Sequence, residues 1–302
     1  MCGLIIILIN WQDEQLTLQC VRALRNWQKL RPEIIVVDNQ STKTSREKLS
    51  NELTGNELIC NSKNLGYAGG NNLAIKQALL KKKNYILLLN TDAEISEAAV
   101  TKLLDRLKRY PEISILGPVI LEGQNSDITC LIGGRDIAKH QFTRIAAKPG
   151  ALKTMADYPL CDVDYVSGTV FLTRREVFEE VGCLDERYFF SGEIADFCKR
   201  ARNKGHKVCT DLAVRAYHHT GKTAVELRDS LYMYYTLRNR FLYVKKHYPA
   251  KKLGYFSHWL KAGGQQLISA ALKGEMTRAR AVFLALKHAL LNQFGNQNDK
   301  FI

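Results

Sequence analysis

An apolar run from Leu4 to Ile9, closing on Asn10, predicts a first buried strand. Apolar positions then recur at helical spacing near Gln15–Trp27, return as a short run at Glu33–Asp38, and reappear after a polar helix at Glu57–Cys60. A helix from about Gly70 to Lys81 leads into Tyr85–Leu89, whose unbroken run suits a central strand. Strands and helices that alternate in this way predict an α/β fold, a mostly parallel sheet flanked by helices. Open sheets of this class bind ligands at the carboxyl ends of their strands. Asn10, Asp38, Asn39 and Asp92 fall there and are expected to line one crevice.

Beyond Gly117-Pro118 the pattern changes, and polar, glycine-containing stretches around Gly123–Gly134 and Lys148–Gly150 predict loops or a hairpin excursion. Asp164–Thr173 is a strand candidate, followed by a helix opening at Arg174, a turn at Gly182–Asp185 and a helix over Glu193–Lys204. Two short strands, Lys207–Thr210 and Val214–Tyr217, end at His218 and His219. From Val225 the chain reads as helix, with Leu227, Leu231, Tyr234, Phe241 and Leu242 near one face, a break at Pro249 and two further helices. The expected organisation is a catalytic domain over 1–224, its nucleotide-binding part near 1–95 and its acceptor-shaping part near 96–224, with a helical extension over 225–302.

The 302 residues are 46% hydrophobic and 25% charged, the composition of a globular chain rather than a disordered one. A formal charge of +14 calls for an anionic partner: nucleic acid, a phospholipid surface or a phosphorylated substrate. The eight cysteines are scattered without a C-x-x-C pair, which points away from zinc and redox sites and towards reduced thiols in a cytoplasmic protein. The opening apolar run is too short for a membrane span or a signal-peptide core.

Several polar clusters could carry chemistry. Asp92, with Asn90 and Thr91 beside it after a buried strand, can hold a hard divalent cation or cap the helix that begins near Ser96. Asp38 and Asn39 suit a ligand or a turn. Three glycines in Asn64-Leu-Gly-Tyr-Ala-Gly-Gly-Asn-Asn72 would let backbone N–H groups approach a phosphate or nucleobase. Glu193 and Asp196 sit three apart at a helix start, as catalytic acids or as complements to the helix dipole. His218 or His219 could complete a metal site with Asp92.

The order of these pieces from about Leu4 to Lys246 resembles the family 2 inverting glycosyltransferases, especially the rhamnosyltransferase-like branch. Val36-Val-Asp-Asn-Gln-Ser41 is similar to the family's pyrimidine-binding segment, and Asn64–Asn72 to its glycine-rich stretch beside the nucleotide. Leu89-Asn-Thr-Asp92 resembles the metal-binding D-x-D, here in an N-x-D form. Val166-Ser-Gly-Thr-Val170, Arg175-Glu-Val-Phe and Gly182-x-x-Asp-Glu186 look like the acceptor-side segments. Glu193-Ile-Ala-Asp-Phe-Cys-x-Arg200 is similar to the block that carries the catalytic base, with Ile194 where the family has a second acid. His218-x-x-Gly-x-Thr223 and Arg238-Asn239 also fit.

The resemblance implies a GT-A fold and metal-dependent transfer of a sugar from a UDP- or dTDP-sugar to a glycan or lipid-linked glycan, with Mn²⁺ or Mg²⁺ as cofactor. It implies nucleotide contacts from Asp38, Asn39, Asn64, Gly66, Gly69, Gly70, Asn71, Asn90, Thr91 and Asp92, to which the strand-end crevice adds Asn10, and metal contacts from Asp92 with His218 or His219. Because isoleucine cannot accept a proton, the base falls to Glu193, its pKa expected low at a helix N-terminus, with Asp196 as the other candidate. The basic helical tail, 248–302, is expected either on an anionic membrane at its inner face or in self-association. Nucleic acid is not an expected partner. A nucleotidyltransferase, or a glycan-binding module that has lost its base, is the alternative.

Overall fold

A computed structural model describes residues 3–123, 128–155, 159–219 and 225–301. Gly221 and Thr223 of the histidine motif and the Leu227 side chain lie outside what is described.

Four parallel strands form one half of the sheet in the order β3 (Leu58–Asn61), β2 (Glu33–Asn39), β1 (Leu4–Asn10) and β4 (Tyr85–Leu89). The crossovers are α1 (Glu14–Arg25), α2 (Lys43–Glu52) and α3 (Gly66–Leu80). Local chemistry starts two of them: Asp13 accepts from the Leu16 amide and Thr42 from the Ser45 amide, satisfying N–H groups that a helix leaves unpaired. Helix α3 begins at Gly66, earlier than the periodicity predicts, because the glycine stretch is itself helical and packs against the sheet. β1 and β4 are buried throughout except at Ile9, so their sequences read as unbroken apolar runs.

The other half of the sheet is mixed. β10 (Val170–Arg174) runs antiparallel between β4 and β6 (Ile113–Glu122), and β11 (Lys207–His218) lies parallel to β6. β6 passes straight through Gly117-Pro118, where the sequence suggests a change of pattern. Pro118 is tolerated because the β6–β11 register shifts immediately after Asp211 pairs with it, and a bulge needs no ladder N–H there. The same bulge makes one strand, β11, of the two short strands expected. β7 (Thr129–Gly134) and β8 (Arg144–Ala147) form the hairpin excursion, while β5 (Ala93–Glu94) and β9 (Leu160–Asp162) pair with β11. Only the second half of Asp164–Thr173 is strand.

Helices α4 (Glu97–Arg109), α5 (Arg175–Val181) and α6 (Glu193–Asn203) complete the cover. Then α7 (Val225–His247), α8 (Lys252–Leu272) and α9 (Met276–Leu290) share a third apolar core with Tyr188, Phe189, Ala195, Ile137 and Ala138. Trp259 of α8 donates its indole N–H to the Ala138 carbonyl at 3.0 Å, and the Arg240 guanidinium stacks on its ring at 4.0 Å. Of these three helices α7 lines the site described next, through Asp229, Tyr232, Thr236, Asn239 and Arg240.

Candidate functional site

Strand register builds the first corner of the site. β4 ends at Leu89, the Asn90 amide donates to Thr169, and the chain turns through Thr91 and Asp92 into β5. β5 pairs with β11 so that His218 stands opposite Ala93, while the β6 register sets His218 opposite Glu122. His218 Nε2 is then 3.3 Å from Asp92 Oδ2, and its Nδ1 is 3.3 Å from Glu122 Oε1. Hydrogen bonds to these two carboxylates, Asp92 first, raise the imidazole pKa to about 9 despite its burial. His219 gives Asp92 a backbone contact, its amide donating to the Asp92 carbonyl at 2.9 Å, but its exposed ring faces Glu94. Ser96 caps α4 through the Ala99 amide, so Asp92 is free of that duty. Glu122 went unnoticed in the sequence because nothing local marks which strand end will face His218.

Asn90, Asp92, Glu122 and His218 line one side of a cleft of about 600 Å³ that runs past Tyr67 and Gly168 to Glu193 and Ile194 and on to α7. Glu193 opens α6, is 6% exposed, and its Oε2 has no hydrogen-bond partner among the described residues. Burial lifts its pKa to about 7, and the Asp196 charge adds to the rise. The low value expected from the helix N-terminus is overturned, since desolvation outweighs the dipole here. Asp196 is absent from the cleft lining. Fully buried, it meets Arg200 Nε at 2.9 Å, Lys246 Nζ at 2.5 Å and His247 Nε2 at 2.9 Å, and these partners hold its pKa down.

The residues expected around the nucleotide form a second, separate network. Asp38 is fully buried and accepts from Asn10 Nδ2 at 2.8 Å, the Ser41 amide at 3.1 Å and Arg46 Nε at 3.0 Å. The Asn39 amide spans Asn64 Oδ1 and the Gly66 carbonyl, and the Asn71 side chain donates to the Tyr67 carbonyl. A Cβ at Gly66 would lie 2.2 Å from the Phe189 carbonyl oxygen, one at Gly69 2.6 Å from Leu65 Cβ, and one at Gly70 3.1 Å from Ile9 Cδ1. The space these glycines leave is filled by protein, so they serve close packing of α3 rather than the phosphate approach read from the sequence. Of the expected nucleotide residues, Asn90 and Asp92 line the cleft, whereas Asn10, Asp38, Asn39 and Asn71 are buried and absent from its lining, so the single crevice expected for Asn10, Asp38, Asn39 and Asp92 is divided between two networks.

Residues 5 to 182, more than half of the chain, match the model of glycosyl transferase family 2. The chain belongs to that family. The glycosyltransferase is 28% identical over 238 residues to a low-salt glycan biosynthesis hexosyltransferase of Haloferax volcanii, covering 78% of this chain and 74% of that one. It is 25% identical over 222 residues, 71% of each chain, to a dTDP-rhamnosyl transferase of Shigella flexneri. Its fold matches that of GalNAc-T7 with UDP, GalNAc and Mn²⁺ at a TM-score of 0.60 and 17% identity, over 80% of this chain and 47% of the other, so the chain spans about half of that structure. A mannosyltransferase from Pyrobaculum calidifontis in complex with GDP-Man and Mn²⁺ gives 0.56 at 12% identity, over 96% and 88% of the two chains. The mixed sheet of the glycosyltransferase is thus a GT-A fold.

Among the described residues of the glycosyltransferase no group of three or more His, Cys, Asp or Glu is arranged to hold a metal ion. Asp92 and His218 nonetheless fit a divalent cation as two neighbouring donors, a carboxylate oxygen and an imidazole nitrogen, provided the ion displaces the proton that Nε2 shares with Asp92. Ions such as Mn²⁺ and Mg²⁺ commonly complete their shells with substrate phosphates and water rather than with protein alone. Among the described residues no helix is long and apolar enough to cross a membrane.

Proposed function

We propose that the glycosyltransferase moves a hexosyl or deoxyhexosyl unit from a UDP- or dTDP-sugar to a glycan or lipid-linked glycan in cell-surface polysaccharide synthesis, with inversion at the anomeric carbon. One observation carries this reading: Glu193, buried with an oxygen that is unpartnered among the described residues and a pKa raised to about 7, lines the same cleft as Asp92 and His218. A general base works best with its pKa near the working pH. An acceptor hydroxyl beside Glu193 would lose its proton to the carboxylate as its oxygen attacks the anomeric carbon, and the nucleoside diphosphate would leave on the opposite side. Asp92 and His218 would hold a divalent cation against that diphosphate. Such an ion supplies charge neutralisation to the leaving group. Asp38 is the proposed contact for the pyrimidine; because it is fully buried with both oxygens engaged by Asn10, Ser41 and Arg46, the base would reach it by displacing the Arg46 guanidinium.

The dTDP-rhamnosyl transferase among the relatives makes dTDP-rhamnose the first donor to try, and the hexosyltransferase makes a UDP-hexose the second. A thermal-shift screen over dTDP-, UDP- and GDP-sugars with Mn²⁺ tests the reading. Stabilisation by a pyrimidine sugar nucleotide supports it. Silence towards all of them, or pyrophosphate release from a nucleoside triphosphate with a sugar phosphate, would replace it with one of the alternatives.

The tail supports a peripheral membrane role for the same enzyme. Between 248 and 302 the sequence carries Lys251, Lys252, Lys261, Lys273, Arg278, Arg280, Lys287 and Lys300 against Glu275 and Asp299. On the same helices Leu253, Ile268, Leu272, Met276, Phe283 and Leu290 are exposed. Apolar and basic residues together suit the interface of an anionic bilayer.

A further inference from the structure

Phe190 breaks the burial pattern of its own segment. Tyr188 and Phe189 are 0% and 5% exposed, whereas Phe190 is 39% exposed. Tyr232 of α7 is 50% exposed, and the two rings meet edge to face with centroids 6.3 Å apart. Both line the cleft together with Tyr165. Leaving aromatic surface in water forfeits about 25 cal/mol per Å², so a ring kept out of a neighbouring core needs a cause.

The backbone around Phe190 is held in strain. Phe189, Ser191 and Gly192 have φ of +61°, +69° and +99°. Non-glycine residues in such conformations cost on the order of 1–3 kcal/mol each and persist only where the surroundings enforce them. The enforcement is visible. The Asn239 amide donates to the carbonyls of Tyr188 at 2.9 Å, Phe190 at 2.9 Å and Ser191 at 2.6 Å. Arg238 steadies that amide through two hydrogen bonds to Asn239 Oδ1. From the opposite side the Tyr67 amide donates to the Phe189 carbonyl at 2.8 Å, an approach open only because Gly66 lacks a Cβ. Two elements therefore fix a loop that releases into α6 at Glu193.

We propose that Phe190 and Tyr232 form the stacking platform for the acceptor, that the acceptor presents a pyranose ring there, and that Asn239 is the positioning residue for this platform. The proposal rests on the reading of Glu193 as base. A base must touch the acceptor hydroxyl, and Phe190 lies three residues before Glu193 on the same clamped loop, so the wall continuing from the base bounds the acceptor. A pyranose offers an apolar C–H face for an aromatic ring, whose π face is negative. Its hydroxyls need polar partners at the edge. Ser191, Thr236, Asp229 and Arg144 supply them in the same cleft, with the Ser191 and Thr236 hydroxyls 3.2 Å apart. An acyl chain would be met by a continuous apolar wall instead.

The test separates this proposal from the one it rests on. UDP and dTDP binding with Mn²⁺ is measured first by calorimetry. A chain that binds neither nucleotide overturns both. The nucleotide-loaded protein is then screened by saturation-transfer NMR against methyl α- and β-pyranosides of the common hexoses, deoxyhexoses and N-acetylhexosamines. At least one glycoside should take up saturation on its C–H protons, with affinity falling tenfold or more in Phe190→Ala and Tyr232→Ala and recovering in Phe190→Trp. Asn239→Ala should weaken the glycoside and leave nucleotide affinity in place, a split that general loss of structure would not produce. The platform is refuted if no pyranoside binds the nucleotide-loaded protein, if binding survives Phe190→Ala unchanged, or if Phe190→Ala weakens the nucleotide instead.

Discussion

His218 reaches Asp92 across the β5–β11 pair, Nε2 to Oδ2 at 3.3 Å, although 126 positions separate the two in sequence (218 − 92 = 126). If that pair holds the cation that meets the donor diphosphate, Asp92→Asn removes its anionic ligand while the β5–β11 pairing stays. Transfer should fall by about a hundredfold or more, since neutralising a leaving diphosphate is worth several kcal/mol, with circular dichroism unchanged. Chelator should have the same effect on the wild type and added Mn²⁺ should reverse it. Full activity in excess chelator would remove the metal from the account.

Glu193 gives a pH dependence with a defined sign. Its folded pKa, near 7, lies above the ordinary 4.5, so the stability it contributes is present below 4.5 and lost as pH rises through about 7. Urea midpoints of wild type and Glu193→Gln at pH 5 and pH 8 should diverge in favour of the variant at the higher pH, by up to roughly 3 kcal/mol. The wild-type kcat/KM should climb through the same range, because only the ionised carboxylate accepts a proton. A difference that stays constant from pH 5 to pH 8 would mean that Glu193 is ionised throughout.

Asp196 is expected to matter for a different reason. Its buried carboxylate is the shared partner of Arg200, Lys246 and His247, so Asp196→Asn leaves Arg200 without its carboxylate and Lys246 with Asp185 alone, at a cost of about 3–5 kcal/mol. The melting temperature should fall by roughly 10 °C, and nucleotide affinity of the folded protein should hold. A normal melting temperature with transfer lost would move the base to Asp196.

The tail makes its own test. Intact protein should sediment with anionic liposomes at low salt and release at high salt, because part of the attraction is screened charge. Replacing Lys261, Lys273, Arg280 and Lys287 by glutamine should abolish sedimentation without altering UDP or dTDP affinity. No salt-sensitive binding of the wild type would leave these helices as a surface for another protein.

How much of this was legible in the sequence depends on whether a feature is local. β1 and β4 were readable residue by residue, because strands buried on both faces leave unbroken apolar runs. The helical glycine stretch of α3 and the bulged β11 were misplaced, since each is decided by what packs against it, namely Phe189 and Leu65 in one case and the β6 register in the other. At the site, Asp92, His218 and Glu193 stood out through their positions in motifs. Glu122, Phe190, Tyr232 and the clamp made by Asn239 did not, because exposure, strain and register appear only once the chain has folded. The raised pKa of Glu193 was read with the wrong sign for the same reason: the helix start is visible in the sequence, but the burial that outweighs it is not.

If one cleft, with Asp92 and His218 at one end and Glu193 beside the acceptor, transfers a sugar by base-assisted displacement, Glu193 must take the proton of the attacking hydroxyl. The most direct measurement is turnover by Glu193→Gln against wild type, using the pyrimidine sugar nucleotide and the acceptor glycoside that the two screens select, with donor affinity measured in parallel by calorimetry. Turnover should drop by roughly 10²–10⁴-fold, the scale of a lost general base, while donor affinity stays within about twofold. Near-normal turnover in Glu193→Gln, with the donor still bound, would contradict it.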